Sequence, residues 1–445
     1  MNITLLIVLA LLSLMPNLSK YPFKVEESLR TIVAFEMWYS KSYFQPTFLG
    51  EPYFNKPPLF NWLIIAYSHT FPWSEITGRA VSLTFLFLTT LAVGLFSYNL
   101  FKKVNLSLLS SLIFLTFGNV LFFYGYLAEI DITFTFFVFG GMISLYLWQR
   151  GAFSWAILSG IIFGLSALLK GLPAYAFLTF SLFAFAIYNW NLKALLNKGT
   201  ALIYLISLVI PLLWLLQTPE PLEYLKNLWR ESFSRVEGDF SRLKHMLIYP
   251  LINFKDLLPW SLIFFLSLYS LRRELNIPSE IKLLFLLFFI NYIPYWISNA
   301  AGRYILPLYP ILALLFSYYI HQAMKKEAIK RLVLGLLITT IALRFVYGFV
   351  FFSYEENRPN SRKGIAKDMA TLIDLRKGIA CECPEEKSIC LYLGIWKGEP
   401  LKRLSKNPTA DYIISCNKSL GKVIKEYDLK NRKVYLEASS GGLNY

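Results

Sequence analysis

The chain has 445 residues, of which 56% are hydrophobic, 17% aromatic and only 16% charged, where soluble globular proteins carry about 25% charged residues. Its formal net charge is +16, but the Lys and Arg residues sit mostly in short loops between apolar runs and in the tail, a pattern of membrane topology and anionic headgroup contact rather than of nucleic-acid binding. Composition therefore excludes a soluble globular protein and predicts an all-α polytopic membrane protein with about eleven transmembrane helices.

Residues 2–18 form the first predicted span. It has the length of a signal peptide but lacks a basic n-region and a small-residue cleavage site, so it is read as a retained helix. An outer loop, 19–77, follows. It holds an amphipathic helix over 26–41, with Leu29, Ile32, Val33 and Met37 on one face, and after Pro57-Pro58 an apolar helix over 59–70. That second helix is too short to span and is expected to lie in the interface. Spans are predicted at 78–99, 104–123, 130–148, 153–169, 171–189 and 200–217. A second outer loop, 218–256, is rich in Glu, Arg and Lys, and four more spans follow at 257–271, 281–297, 304–323 and 332–352. The tail, 353–445, has soluble composition. A helix over 362–377, strands at 388–393, 410–415 and 432–437, and a helix near 419–427 suggest a small α/β domain.

Orientation follows from the loops. One alternating set carries Lys102 and Lys103, Arg150, Lys193 and Lys198, Arg272 and Arg273, and Lys325, Lys326, Lys330 and Arg331. The opposite set is poor in basic residues, so the first set is expected in the cytoplasm. With eleven spans the N-terminus is cytoplasmic and the tail extracytoplasmic. The chain then divides into a membrane domain, 1–352, and a small outer domain, 353–445. All four cysteines, Cys381, Cys383, Cys390 and Cys416, lie in the tail. They could form a four-thiolate metal site or disulfides, and the reading favours one structural disulfide or free thiols.

Ionisable groups at a membrane edge are expensive and point to function. Glu26, Glu27, Arg30, Lys56, Arg79, Glu129, Asp131, Lys170, Arg235 and Arg303 all fall in outer segments or at outer span ends. Cations there suit a leaving phosphate and carboxylates suit an acceptor hydroxyl. Each residue also has a plainer role: Lys56 as a snorkelling lysine, Glu26 and Asp131 as helix N-terminal acids, Arg79 and Arg303 as anchors of span ends. The chain has no Walker A motif, dinucleotide fingerprint or serine elbow, so the energy for a transfer must come from a preactivated donor.

The order of local motifs carries a resemblance. Glu26-Glu27-Ser28-Leu29-Arg30, Gly50-Glu51-Pro52-Tyr53-Phe54-Asn55-Lys56-Pro57-Pro58, Ile76-Thr77-Gly78-Arg79, Glu129-Ile130-Asp131, Leu169-Lys170-Gly171 and Gly302-Arg303-Tyr304 recur in sequence over residues 20–310. This set resembles the GT-C membrane glycosyltransferases, in the branch of the bacterial aminoarabinose transferases and protein O-mannosyltransferases. The resemblance implies a polyprenyl-phosphate sugar as donor and an envelope acceptor, lipid A or a related glycolipid first and protein second, at the outer face of a bacterial inner membrane. It implies Glu26, Glu27 and Asp131 as catalytic carboxylates. It implies Lys56, Arg303 and Lys170 at the donor phosphate, and Arg30, Tyr53 and Arg79 as substrate contacts. The family's acid in the first loop is usually Asp, so Glu26 is one methylene longer. Before the lysine that branch often has Glu, which can hold a divalent metal; here it is Asn55, which puts metal dependence in doubt.

The rival class is a transporter or flippase of a lipid-linked sugar. It predicts ionisable groups near mid-span, or Gly- and Pro-broken helices in two related halves. Neither pattern stands out, since Pro211 and Pro294 lie towards span ends.

Overall fold

A computed structural model of the chain describes residues 3–233, 239–416, 420–430 and 432–439. The first long loop, 19–77, is tied to the bundle before any long helix begins. Helix α1 (Ile3–Leu12) leads through an irregular turn into α2 (Val25–Ser40). A short hairpin, β1 (Thr47–Phe48) and β2 (Glu51–Pro52), then precedes the apolar helix α3 (Leu59–Ser68). Glu36 on α2 organises the hairpin. Its carboxylate accepts from the Thr47 hydroxyl (2.5 Å) and from the backbone N–H groups of Leu49 (2.6 Å) and Gly50 (3.2 Å). Burial pushes the Glu36 carboxyl up to about 6, and these hydrogen bonds oppose the rise.

The bundle comprises α4 (Glu75–Phe101), α5 (Val104–Leu115), α6 (Ile130–Gln149), α7 (Ser154–Lys170), α8 (Leu172–Tyr188) and α9 (Lys198–Leu215). The second long loop, 218–256, holds α10 (Pro221–Phe233) and α11 (Asp239–Asp256). The chain returns through α12 (Trp260–Leu271), α13 (Ser279–Ile297), α14 (Tyr309–Ala323) and α15 (Glu327–Val346). Each predicted span thus contains a helix. Among the described residues six helical segments are long and apolar enough to cross a membrane, or seven if the segments Arg242–Asp256 and Trp260–Leu271, bent by 94°, are one crossing. The helices α1, α5, α7 and α8 hold 10–17 residues, short of the roughly 20 that a bilayer requires of a helix acting alone. Predicted span 104–123 is interrupted after Leu115 and resumes as a wide-turn segment, Val120–Tyr124. Large apolar side chains such as Leu95, Leu205, Leu213, Phe265 and Val350 face outward, as expected where the solvent is lipid.

Close helix contact needs small residues when there is no water to drive apolar packing. Helix α7 supplies them at Gly160 and Gly164, where a Cβ would fall 2.8 Å from Ile206 Cβ and 2.7 Å from Ile210 Cδ1 of α9.

At one end of the bundle a buried ion pair joins three parts of the chain. Arg79, on the second turn of α4, donates to both oxygens of Glu27 on α2 (2.8 and 2.7 Å). It also donates to the carbonyls of Leu18 (2.6 Å), Tyr21 (2.7 Å) and Pro22 (3.2 Å). Glu27 in turn accepts from the backbone N–H groups of Ala128 (2.8 Å) and Lys24 (2.9 Å). Both side chains are fully buried.

After α16 (Phe352–Asn357) and α17 (Arg362–Leu372) the tail forms a four-stranded sheet of β3 (Ile379–Glu382), β4 (Tyr412–Cys416), β5 (Lys422–Asp428) and β6 (Lys433–Ala438). Its order is β3-β4-β6-β5, with only the β3–β4 pair parallel. Two local expectations are corrected. Residues 388–393 lie in a helix, α18 (Lys387–Lys397), in which every residue from Ser388 to Gly394 is buried. A short apolar run buried all round cannot be told from a strand by periodicity. The predicted helix near 419–427 is instead the strand β5, nearly all exposed at the sheet edge. Leu420, Val423, Ile424 and Tyr427 follow helical spacing in sequence, but β6 offers a strand partner. All four cysteines are paired, Cys381 with Cys390 and Cys383 with Cys416, so the single disulfide or free thiols expected become two disulfides.

The tail sits on the first long loop. The Tyr392 hydroxyl accepts from Phe23 N–H (2.9 Å) and donates to Glu75 at the start of α4 (2.9 Å), and Lys363 pairs with the same carboxylate (2.7 Å). Phe23, Ile32 and Leu49 join the apolar core of the tail.

A buried charge left without its partner typically costs about 3–5 kcal/mol. Arg79→Met and Glu27→Gln are therefore each expected to lower the melting temperature in detergent strongly. The double variant, which removes both charges, is expected to recover part of the loss in the same thermal-shift measurement.

Candidate functional site

Beside that ion pair, on the same side of the bundle, the structure holds a cavity of about 540 Å³. Helix α2 contributes Glu26, Leu29 and Arg30 to its wall, positions spaced i, i+3, i+4 on one helix face. Because consecutive helical residues are about 100° apart, Glu26 faces the cavity while its neighbour Glu27 faces Arg79. Tyr53, Asn55 and Lys56 come from the chain after the hairpin, Glu129 and Asp131 from the start of α6, and Lys170 from the end of α7. Gly171, at φ +72°, turns the chain from α7 directly into α8, a backbone conformation that glycine adopts without strain. Leu172 and Ala176 of α8, with Phe134, Leu228 and Tyr295, make a greasy wall. Arg303 and Tyr304 enter from a 3₁₀ segment, Gly302–Leu308, ahead of α14.

The charged groups form pairs. Lys170 donates to Asp131 (2.5 Å) and lies over the rings of Phe134 (5.1 Å) and Tyr304 (5.0 Å). Arg303 pairs with Glu129 (3.2 Å). Arg30 donates to the Tyr53 hydroxyl (2.8 Å) and to Glu26 (3.4 Å). Lys56 pairs with Glu231 of α10. Tyr224 fixes α10 to this loop by donating to the carbonyls of Tyr53 (2.8 Å) and Lys56 (3.3 Å). Burial lowers the Lys56 ammonium to about 8, against the pull of Glu231. Burial pushes the Glu129 carboxyl up, Asp131 adds to the rise, and Arg303 opposes it.

Of the residues singled out from sequence, Glu26, Asp131, Lys56, Arg303, Lys170, Arg30, Tyr53 and Asn55 line this one cavity. Glu27 and Arg79 do not. They are buried against each other in the ion pair that holds α2 to α4. Arg235 lies outside the described residues. Glu129, singled out among the span-end acids, also lines the wall, as do Tyr304, beside Arg303, and Glu231. Nothing near Glu231 in sequence marks it, because its partner Lys56 is 175 residues away.

The donor set does not suit a divalent metal. Asn55 offers a neutral amide where a carboxylate would be needed, and Glu26, Glu129, Asp131 and Glu231 are each paired with a cation. Among the described residues the one cluster with metal-like spacing is Cys383, Glu385 and Cys416 in the tail, where both sulfurs are in a disulfide.

The family model of dolichyl-phosphate-mannose-protein mannosyltransferases matches residues 34–221. An undecaprenyl phosphate-alpha-4-amino-4-deoxy-L-arabinose arabinosyl transferase of Yersinia pestis is 26% identical over 371 residues, 78% of this chain and 66% of the relative. A transferase described in the same terms in Pseudomonas fluorescens is 27% identical over 243 residues, 53% of this chain and 44% of the relative. The matches thus span less than two thirds of these relatives' own length. Among solved structures, ArnT from Cupriavidus metallidurans bound to undecaprenyl phosphate superposes with a TM-score of 0.72 over 98% of both chains, at 15% identity. The fold is therefore that of the ArnT structure.

Lys56 and Glu129 both titrate in this cavity at about pH 8. A phosphate seated against Lys56 would raise its pKa, so binding would take up a proton once the free amine has begun to titrate. Affinity for an alkyl phosphate is expected to fall as the pH rises through about 8, where Lys56 loses its charge and Glu129 gains one, by up to about tenfold per pH unit for each group. Titration of farnesyl phosphate in detergent measures this, and Lys56→Arg is expected to make the decline shallower.

Proposed function

We propose that the chain transfers a sugar from a polyprenyl-phosphate donor to an envelope acceptor, with lipid A or a related glycolipid first and protein second. The observation that carries this reading is the convergence of Lys56, Lys170, Arg303 and the carboxylates Glu26 and Asp131 on one cavity with an apolar wall. An isoprenoid tail needs the greasy side and its sugar phosphate needs the charged side. The arabinosyl transferase relatives, which are named for undecaprenyl phosphate, support the donor class.

In this reading the reaction is an inverting displacement. The acceptor oxygen forms a bond to the anomeric carbon while the bond from that carbon to the phosphate oxygen breaks, and its electron pair leaves on polyprenyl phosphate. Lys56 and Arg303 stabilise that charge as it develops. Glu26 holds the acceptor hydroxyl and takes its proton. Asp131, held by Lys170, keeps that lysine at the phosphate end. Arg30, itself held by Tyr53, positions Glu26. A phosphate acceptor needs no strong base, and Glu26 then serves to orient.

The same proposal sets the chain in a bacterial inner membrane with eleven crossings. The N-terminus is cytoplasmic, and the site and the tail, a domain over 353–445, lie outside. Two observations support that side: the basic loops alternate, and the disulfides of the tail suit an oxidising compartment.

The test is transfer by the purified protein, using a panel of polyprenyl-phosphate sugars with lipid A and peptide acceptors. Lys56→Ala is expected to lower turnover by about 10²–10³-fold, and Glu26→Gln by about 10²–10⁴-fold with a hydroxyl acceptor, both at unchanged melting temperature. Transfer that survives in both variants would remove these roles. Substrate flux in liposomes without transfer would favour a flippase.

A further inference from the structure

The cavity wall holds four cations and four carboxylates, each cation paired with one acid: Arg30 with Glu26, Lys56 with Glu231, Lys170 with Asp131 and Arg303 with Glu129. With all four acids ionised, the described side chains of such a site carry no spare positive charge for an incoming phosphate. Adding an anion at a membrane edge is unfavourable unless a resident negative charge gives way, because unpaired charges are poorly solvated there. One pair must open, and the geometry distinguishes among the four.

Asp131 and Glu129 sit at the start of α6 with side chains only 7% and 10% exposed. Each is more buried than the cation it pairs with. Glu26 is 28% exposed, but it lies one turn from Arg30 on the same helix, a spacing that keeps the pair within reach. Glu231 is the most exposed of the four, at 32%, and it reaches Lys56 from a separate helix. The Tyr224 anchor holds α10 to the loop through backbone carbonyls, about two turns before Glu231. The helix can therefore stay in place while the glutamate side chain rotates away.

We propose that Glu231 is an exchangeable counter-ion of Lys56. It holds the lysine in the cavity until the donor's phosphate takes its place, and the carboxylate then turns out to solvent. The exchange leaves the balance of charge unchanged for a singly charged phosphate diester such as a polyprenyl-phosphate sugar. It also makes Glu231 a competitor of the donor and of the polyprenyl phosphate released after transfer. The inference rests on the reading that Lys56 receives the donor phosphate.

Titration of undecaprenyl phosphate into the full-length protein in detergent tests it, with four variants beside the wild type. Glu231→Gln removes the competing charge and is expected to tighten binding by about three- to tenfold. In a Lys56→Ala background the same change is expected to have no effect. Glu223→Gln, on the same helix but 46% exposed and paired with Lys226, is expected to bind as wild type does. Weaker or unchanged binding in Glu231→Gln, with binding lost in Lys56→Ala, overturns the exchange and leaves the phosphate reading of Lys56 standing. Unchanged binding in Lys56→Ala overturns both. Equal tightening in Glu223→Gln also overturns the exchange, since it would show a general effect of helix charge.

Discussion

The contact between Glu27 and Arg79 is the constraint on which the cavity end of the molecule depends. Five hydrogen bonds leave one guanidinium, two to the carboxylate and three to carbonyls of the chain before α2. The carboxylate also takes the Ala128 N–H, just ahead of the cavity acids Glu129 and Asp131. In water such a pair would contribute little. Fully buried at a membrane edge it has no alternative partner, so α2, α4 and the loop into α6 are fixed together. The placement of Glu26, Arg30, Glu129 and Asp131 follows from that junction.

What is built on the junction is a cavity with two kinds of wall. Charged side chains come from the outer loops and from helix ends, and apolar side chains come from α6, α8, α10 and α13. Such an arrangement matches an amphiphile with a charged head. The tail is tied to the same junction: Glu75, one turn before Arg79 on α4, holds both Tyr392 and Lys363. The loop that carries Lys56 is held between the tail and α10. Leu49 accepts from Arg403 on one side (3.0 Å), and Tyr224 donates to the loop's carbonyls on the other.

Much of this architecture was legible in the sequence, because lipid makes charge-free runs conspicuous and each predicted span contains a helix. The cavity residues were legible in part, because ionisable groups at span ends are few. The split between Glu26 and Glu27 was not, since adjacent acids look alike until the partner of each is known. Arg79 carried the same ambiguity and falls on the structural side. Glu231 gave no signal because charged residues are ordinary in an outer loop. In the tail, the stretch from Ser388 to Leu393 is apolar on all sides and β5 is exposed on both. Periodicity carries no information in either case, and partners set the outcome.

Helix α2 presents chemistry and folding on adjacent residues, and this bears on how such a chain can change over time. An insertion of one residue between the helix start and Glu27 would rotate the pair by a little more than a quarter turn, sending one acid out of the core and another into it. Length variation should therefore accumulate in the turn before Lys24 or beyond Lys41 and be purged between them. The site can drift in what it accepts through Asn55 or Glu231, which lie outside the contact between Glu27 and Arg79. Its carboxylate at position 26 is held in place by the helix register, whatever the substrate.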